Sequence, residues 1–389
     1  MSVHKKGTSE SLRHEIVALG ADGIGQREIA RRLRVSLPTV QRWLARPAAP
    51  DGSFPDRVSG RASNRTVPDV ELRVLDSRMR LRDSALGETG AAAIHRDLTE
   101  RGDEPPSIST IGRILARCGA LDGRKRTRRP PPPQGWYLPD VATKLVELDQ
   151  FDAVVGLVIR GGIDVEVLNG VSLHGGLIAS WPQSSVTTDS TLLRIVEHWR
   201  EFGLPAYAQF DNDTRFQGAH QFKDSLGRVV RLCHSLGVVP VFAPPREPGL
   251  QNAIESFNGR WQAKVWRRWE HADLAELQAR SIAYVAASRK RHVSRIEAAP
   301  ARTPFPVEWV SKKRFPLLTK VIFIRRSDEQ GRVRLLGHLF PVDPNRPHRL
   351  VKAEVFYDQQ RIDFRALRRA TPQSQPLLAQ IPYSPRSLN

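Results

Sequence analysis

Apolar residues recur at helical spacing over the first 120 residues and at strand spacing through much of the remaining chain. Over 10–46 the pattern predicts three short helices, the last two with helix-turn-helix spacing. In the stretch 26–33, Ile29 and Leu33 share a face at i, i+4. Val35-Ser36 makes the turn, and Ser36 is placed to cap a helix that turns Val40, Trp43 and Leu44 inward. Thr39, Gln41 and Arg42 are then left facing outward, side chains suited to base edges or phosphates in a major groove. A second unit of the same kind is expected over 68–120. Leu72, Leu75 and Met79 mark one amphipathic helix, Ile94 and Leu98 a second, and the run Ser109 to Leu115 a third.

Between these units, 47–64 is rich in Pro, Gly, Ser and Asn. After the second, Arg124-Lys125-Arg126-Thr127-Arg128-Arg129 runs into four prolines, a stiff basic linker able to lie along phosphates while spacing two domains. From 145 onward the pattern predicts strands at 145–159, 165–173 and 177–181, with Gly161-Gly162 as a turn. A helix over 190–202, a strand at 206–210, a helical stretch to about 236 and a strand at 238–242 come next, and helices at 249–269 and 273–293 close the segment. Three strands succeeded by alternating helices and strands make a mixed α/β sheet covered by helices. Short strands at 321–324, 332–339 and 352–357 read as a small basic β-barrel.

Net charge sharpens this division. The chain has 389 residues, 60 Lys+Arg against 41 Asp+Glu, and a net charge of +19. The excess is +6 over 1–66, +3 over 67–135, zero over 136–300 and +10 over 301–389. A balanced middle between basic flanks points to modules that hold a polyanion, attached to a core with another task. With 40% hydrophobic residues, 8 Trp and 14 Phe, the chain can bury cores and is no disordered basic tail. Two cysteines, Cys118 and Cys233, supply neither a disulfide framework nor a Cys-rich zinc site. No apolar run of membrane-spanning length occurs, so a soluble, cytoplasmic, nucleoid-associated protein is expected.

Three acidic residues fall where such a sheet would gather them. Asp149 lies in the first strand, Asp211 ends the fourth, and Glu255 sits on the helix after the fifth. Converging carboxylates suit Mg²⁺, which takes oxygen ligands and keeps waters for a substrate phosphate. The stretches Leu148-Asp149, Asp211-Asn212-Asp213-Thr214-Arg215-Phe216 and Pro248-Gly249-Leu250-Gln251-Asn252-Ala253-Ile254-Glu255-Ser256-Phe257-Asn258 resemble the catalytic core of bacterial insertion-sequence DDE transposases, whose core is retroviral-integrase-like. The resemblance covers about 140–300.

The resemblance implies a multidomain protein: all-α helix-turn-helix modules, an α/β RNase H-like integrase core and a small C-terminal β-barrel. The corresponding boundaries are 1–50, 66–121, a basic Pro-rich linker at 122–140, the core at 141–300, the barrel at 314–370 and a flexible tail at 371–389. It further implies an enzyme of DNA integration that binds element ends and cuts and joins strands, with two Mg²⁺ (or Mn²⁺) ions on Asp149, Asp211 and Glu255. Asn252 and Asn258 are support or DNA-contact candidates. Expected DNA contacts are Thr39, Gln41, Arg42, Arg113, Arg124, Lys125, Arg126, Arg128, Arg129, Arg260 and Lys264. The implied partners are double-stranded DNA, as element ends and target, and further copies of the chain in a multimer on DNA.

Some positions depart from the family pattern. Asp213 stands where a Gly is common and adds a charge beside the site. The interval between Asp211 and Glu255 is longer than the family's, and an extended helix within 217–236 would absorb the excess. Asp152 competes with Asp149 as the first acid. Alternation puts the two on opposite faces of the strand, and Asp149 is preferred. A non-catalytic DNA-binding regulator derived from such an enzyme is the alternative reading.

Overall fold

The computed structural model describes residues 8–46, 48, 66–121, 134–219, 221–245, 247, 249–312 and 320–384, and the chain forms two compact units, 1–69 and 70–389. In the first unit, helices α1 (Glu10–Ala21), α2 (Gln26–Leu33) and α3 (Leu37–Leu44) close over Ile16, Ile29, Val40 and Trp43. The α2–α3 turn is made possible by Arg34, whose φ of 51° is left-handed, and by Pro38 in the first turn of α3. Ser36 occupies the N-cap position. Its hydroxyl, however, pairs with the Thr39 hydroxyl at 2.8 Å and caps no backbone N–H. Gln41 and Arg42 are exposed as expected, and Thr39 is half-buried.

The second unit begins with α4 (Pro68–Asp83), α5 (Ala91–Glu100) and α6 (Ile108–Arg117), packed around Val74, Ile94, Leu98, Ile111, Ile114 and Leu115. The face expected for α4 is corrected. Leu72 and Met79 are 65% and 61% exposed, while Val74 and Ser77 point inward. Ser77 can be buried because its hydroxyl donates to Asp97 at 2.7 Å, so a polar residue holds a position that apolar counting passes over. Arg113 is exposed on α6. The expected contacts Arg124, Lys125, Arg126, Arg128 and Arg129 lie outside the described residues. The linker expected over 122–140 ends earlier than supposed, since Trp136, Tyr137 and Leu138 are buried in the core and lead into α7 (Pro139–Ala142).

The core strands are β1 (Leu148–Ile159), β2 (Ile163–Ser172) and β3 (Ile178–Gln183), an antiparallel meander. Helix α8 (Thr188–Phe202), β4 (Tyr207–Phe210), α9 (Thr214–Gln217), α10 (Arg228–Ser235) and β5 (Val239–Phe242) succeed them. Next come α11 (Asn252–Trp261), a π-helical turn over Gln262–Trp266, α12 (Leu274–Arg291) and α13 (Val293–Glu297). The extended helix expected within 217–236 is instead two helices separated by a loop. Gly218, at φ 111°, and Gly227 pinch that loop shut, and the Gly227 N–H donates to Gln217 O at 2.6 Å. A Cβ on Gly218 would lie 2.6 Å from the Gly227 nitrogen.

The C-terminal strands are β6 (Lys320–Arg326), β7 (Arg332–Leu335), β8 (His338–Pro341), β9 (Leu350–Phe356), β10 (Arg361–Ala366) and β11 (Leu377–Pro382). Strands are present there as expected, but four of them continue the core sheet, whose order is β11-β10-β9-β6-β5-β4-β1-β2-β3. Only β7 and β8 pair apart, as a hairpin turning on Leu336 and Gly337, both at positive φ. A ladder of buried rings explains the join. Phe151, Phe210, Phe242 and Phe323 stand on adjacent strands β1, β4, β5 and β6 with centroids 5.9, 6.0 and 5.1 Å apart. Burying each ring stabilises by roughly 2–3 kcal/mol. The tail expected over 371–389 is likewise corrected, since Leu377–Pro382 is the edge strand β11, paired with β10.

Candidate active site on one face of the sheet

The site is built on a repeated tripeptide. Gln150-Phe151-Asp152 on β1 and Gln209-Phe210-Asp211 at the end of β4 run in parallel, with Gln150 paired to Gln209. Alternation then divides them cleanly: the phenylalanines stack on one face, and the glutamines and aspartates lie on the other, under α11. The Gln150 amide donates to Gln209 Oε1 at 2.7 Å and its own Oε1 accepts from the Ile254 N–H at 3.0 Å. Buried Tyr137 donates to Gln209 Oε1 at 2.6 Å and to Leu250 O at 3.0 Å. This network fixes α11, and with it Glu255, against the two strands.

Asp152 is therefore the strand residue beside Asp211, whereas Asp149, the one preferred on sequence, is not brought to Asp211 and Glu255. Burial and then the charges of Asp211 and Glu255 push the Asp152 carboxyl up to about 6, against the opposing effect of its hydrogen bonds from Ala153 and Asn258. The Asn258 amide donates to Asp152 Oδ2 at 2.7 Å and accepts from Asn169 Nδ2 at 2.8 Å, so Asn258 is a support, one turn beyond Glu255 on α11. Asn252 opens α11 and lines a neighbouring cleft together with Arg260, Arg291 and Arg295. Glu255 itself is exposed.

Asp149 faces the opposite way. It is 1% exposed, receives both Arg302 terminal nitrogens at 2.9 and 2.5 Å, and accepts from Trp199 Nε1 at 3.0 Å. Burial works to raise its carboxyl, but the Arg302 charge and hydrogen bonds prevail and hold it below the ordinary carboxylate range. Beside it, burial drives His198 down to about 3. Asp149 is thus half of an internal ion pair.

Asp213, the added charge, is neutralised locally. It caps α9, accepting the Arg215 N–H at 2.8 Å, and grips the Arg215 guanidinium at 2.9 and 2.7 Å. Arg215 in turn reaches Glu166 at 3.2 Å. Asp211 Oδ1 accepts from the Asp213 N–H at 3.0 Å, which orients the Asp211 carboxylate. Arg260 is exposed as expected, whereas Lys264 turns inward and donates to Gly87 O at 2.7 Å. Residues that local reasoning passed over are Gln150, Gln209, Tyr137 and Arg302. The repeated Gln-Phe-Asp was the available signal for the first two.

The donor chemistry fits a hard divalent cation: three carboxylates share one face, and one of them is raised by its neighbours, a repulsion such an ion relieves. Among the described residues no three His, Cys, Asp or Glu side chains already converge to ligating distance, so binding requires these carboxylates to draw together.

Residues 8–53 match the family model of a homeodomain-like domain, and the N-terminal unit is a helix-turn-helix module of that class. The chain is also similar to solved structures of viral integrases. One is the catalytic core domain of BIV integrase, with 16% identity over 37% of this chain and 84% of that one, TM-score 0.27. Another is the simian T-cell lymphotropic virus intasome in complex with PP2A regulatory subunit B56 gamma, with 13% identity, 75% and 96% coverage, TM-score 0.34. A third is the HTLV-2 integrase catalytic core domain in complex with magnesium, with 13% identity, 35% and 82% coverage, TM-score 0.26. No described helix is long and apolar enough to cross a membrane.

Proposed function

We propose that the protein is a DNA transposase whose helical modules bind the ends of a mobile element and whose core cuts and joins DNA strands. One observation carries the reading: the parallel Gln-Phe-Asp pair puts Asp152 and Asp211 on the face covered by the helix that bears Glu255. Asp152, Asp211 and Glu255 would hold the ions. Bound Mg²⁺ supplies Lewis acidity and a lowered pKa for the attacking water or DNA 3′-hydroxyl in an in-line displacement at phosphorus. The chain's own part is preorganisation. Asn258 restrains Asp152, the Asp213 N–H restrains Asp211, and the buried Gln150–Gln209–Tyr137 network sets the height of α11 above both. The basic flanks grip the backbone, so binding weakens steeply as salt rises. Gathering two ends calls for a multimer on DNA.

The test is Mg²⁺-dependent nicking of a labelled duplex carrying the ends of the flanking element, by the full chain and by Asp152→Ala, Asp211→Ala and Glu255→Ala. Loss of cleavage in all three with retained gel shift supports the reading. The spacing of the carboxylates also suits a non-catalytic DNA-binding regulator. That reading prevails if the unmodified protein shifts end DNA but never nicks it.

A further inference from the structure

A cleft of about 500 Å³ opens between the loop after Asp211 and the C-terminal strands β6 and β7, with Asn212, Phe222, Pro244, Arg325, Arg326 and Arg334 in its wall. Among the described residues its lining contains no acid. Arg326 is committed to Glu247 at 2.6 Å, but Arg325 and Arg334 have no carboxylate partner among the described residues. Arg325 donates from Nη2 to Asn212 Oδ1 at 2.7 Å and from Nη1 to Ile324 O at 2.9 Å and Ala243 O at 3.3 Å, and it lies 5.0 Å from the Phe323 ring centre. All of these partners are neutral, so a half-buried cation is braced in place while its charge stays uncompensated, an unfavourable arrangement until an anion arrives. Arg334 is exposed, and on the same wall Phe222 is 60% exposed to water.

Guanidiniums without counter-charge beside an open aromatic face are the chemistry of a nucleotide site: phosphate on the cations, base on the ring. The cleft is also joined to the candidate active site. Asn212 comes directly after Asp211, and its amide donates to Ala243 O at 2.6 Å while its oxygen receives Arg325. We propose that this cleft is a subsite for one unstacked nucleotide of the DNA strand next to the reacting phosphodiester. Arg325 and Arg334 hold its phosphate, and Phe222 stacks on its base. The inference rests on the DNA-processing reading above and adds to it a strand-separated substrate at the reacting end.

The experiment uses the full chain with Mg²⁺ and a duplex bearing a single-stranded thymidine overhang that contains 5-iodouracil. Photo-crosslinking and then peptide mass spectrometry read the contact, and salt titrations compare the overhang probe with a blunt duplex. Because Arg325 also braces Asn212, the surface variants Phe222→Ala and Arg334→Ala carry the test. The crosslink is expected on Phe222. Phe222→Ala should weaken binding of the overhang probe by about tenfold and leave the blunt duplex unchanged. Arg334→Ala should lower the slope of log affinity against log salt by about one. If the unmodified protein nicks DNA but crosslinks elsewhere and both variants bind as it does, the subsite is wrong and the transposase reading stands. If the crosslink maps to Phe222 but no metal-dependent nicking occurs, the cleft binds an unstacked nucleotide, but the enzymatic reading falls and the placement beside a reacting phosphodiester falls with it. Absence of DNA binding removes both.

Discussion

Asp149 and Asp152 sit three residues apart on one strand under opposite electrostatics. On the back face Asp149 is matched by Arg302, held by Trp199 and shut away from water, so its charge belongs to the fold. On the front face Asp152 is surrounded by its own kind, with Asp211 and Glu255 nearby and only amide donors to help. A matched charge stabilises the molecule without it doing anything further, whereas a cluster of like charges is tolerated where a ligand completes it.

The largest test of this contrast is functional. Asp152→Ala should lower strand cleavage by on the order of 10³-fold or more, as for removal of a metal ligand. Asp149→Asn, once folded, should keep cleavage within about tenfold of the unmodified protein. The reverse ranking, read in the nicking assay, would restore Asp149 to the site.

Next in size is the back-face pair. Arg302→Met leaves Asp149 buried and alone and should destabilise by about 3–5 kcal/mol in denaturant unfolding, while the double variant Asp149→Leu with Arg302→Met should recover most of that loss. A single variant as stable as the parent would mean that the pair does not hold the strand.

A pH series sharpens the same point. His198 has a folded value of about 3 against an ordinary 6.5, so the unfolded chain takes up its proton first as pH falls. The contribution of this group should therefore decline from about pH 6.5 towards 3, by a few kcal/mol at most, and His198→Leu should remove that contribution. Asp149, with a lowered folded value, adds its own loss only below about pH 4. Because Asp152 contributes with the opposite sign over the same range, the test is made in the Asp152→Asn variant, where a flat profile between about pH 6.5 and 4 would contradict the buried neutral imidazole.

The smallest effect has the opposite sign. Asp152 takes up protons more readily in the folded state, so the fold loses stability as pH rises from about 4 to 6 and stays at the lower level above. Asp152→Asn should be more stable than the parent by on the order of 1–2 kcal/mol at pH 7.5 without metal, with the gap closing when Mg²⁺ is added or the pH is lowered. Equal melting temperatures under all of these conditions would mean that the front face carries no repulsion.

The three helices of the first unit were legible because the inward positions within a helix lie about one turn apart, as with Val40 and Trp43. Local periodicity failed at α4, where Ser77 is inward only because Asp97, on another helix, receives its hydroxyl. It could not decide between Asp149 and Asp152 either, because which of them lies beside Asp211 is set by β4 and α11, many residues away. The chain nevertheless carries a signal in Gln-Phe-Asp written twice, since identical triplets on neighbouring parallel strands can align residue for residue. The run Val321-Ile322-Phe323-Ile324 was a similar hint. Four consecutive apolar residues, all buried, mark a strand covered on both faces and not the alternation of a small barrel. The partners Arg302 and Arg325 had no local signature at all, because each acts on a carboxylate or amide more than a hundred positions away.

The parallel pairing of β5 with β6, Val241 opposite Ile322 and Phe242 opposite Phe323, bears on how the molecule can be dissected. A fragment ending near residue 312 would strip β5 of its neighbour and turn an interior strand into an open rim with unpaired amides and an uncovered Phe242 ring. Such a rim recruits other chains, so the isolated core would gather into aggregates where the whole protein stays dispersed. The C-terminal strands act, in that sense, as the core's built-in chaperone.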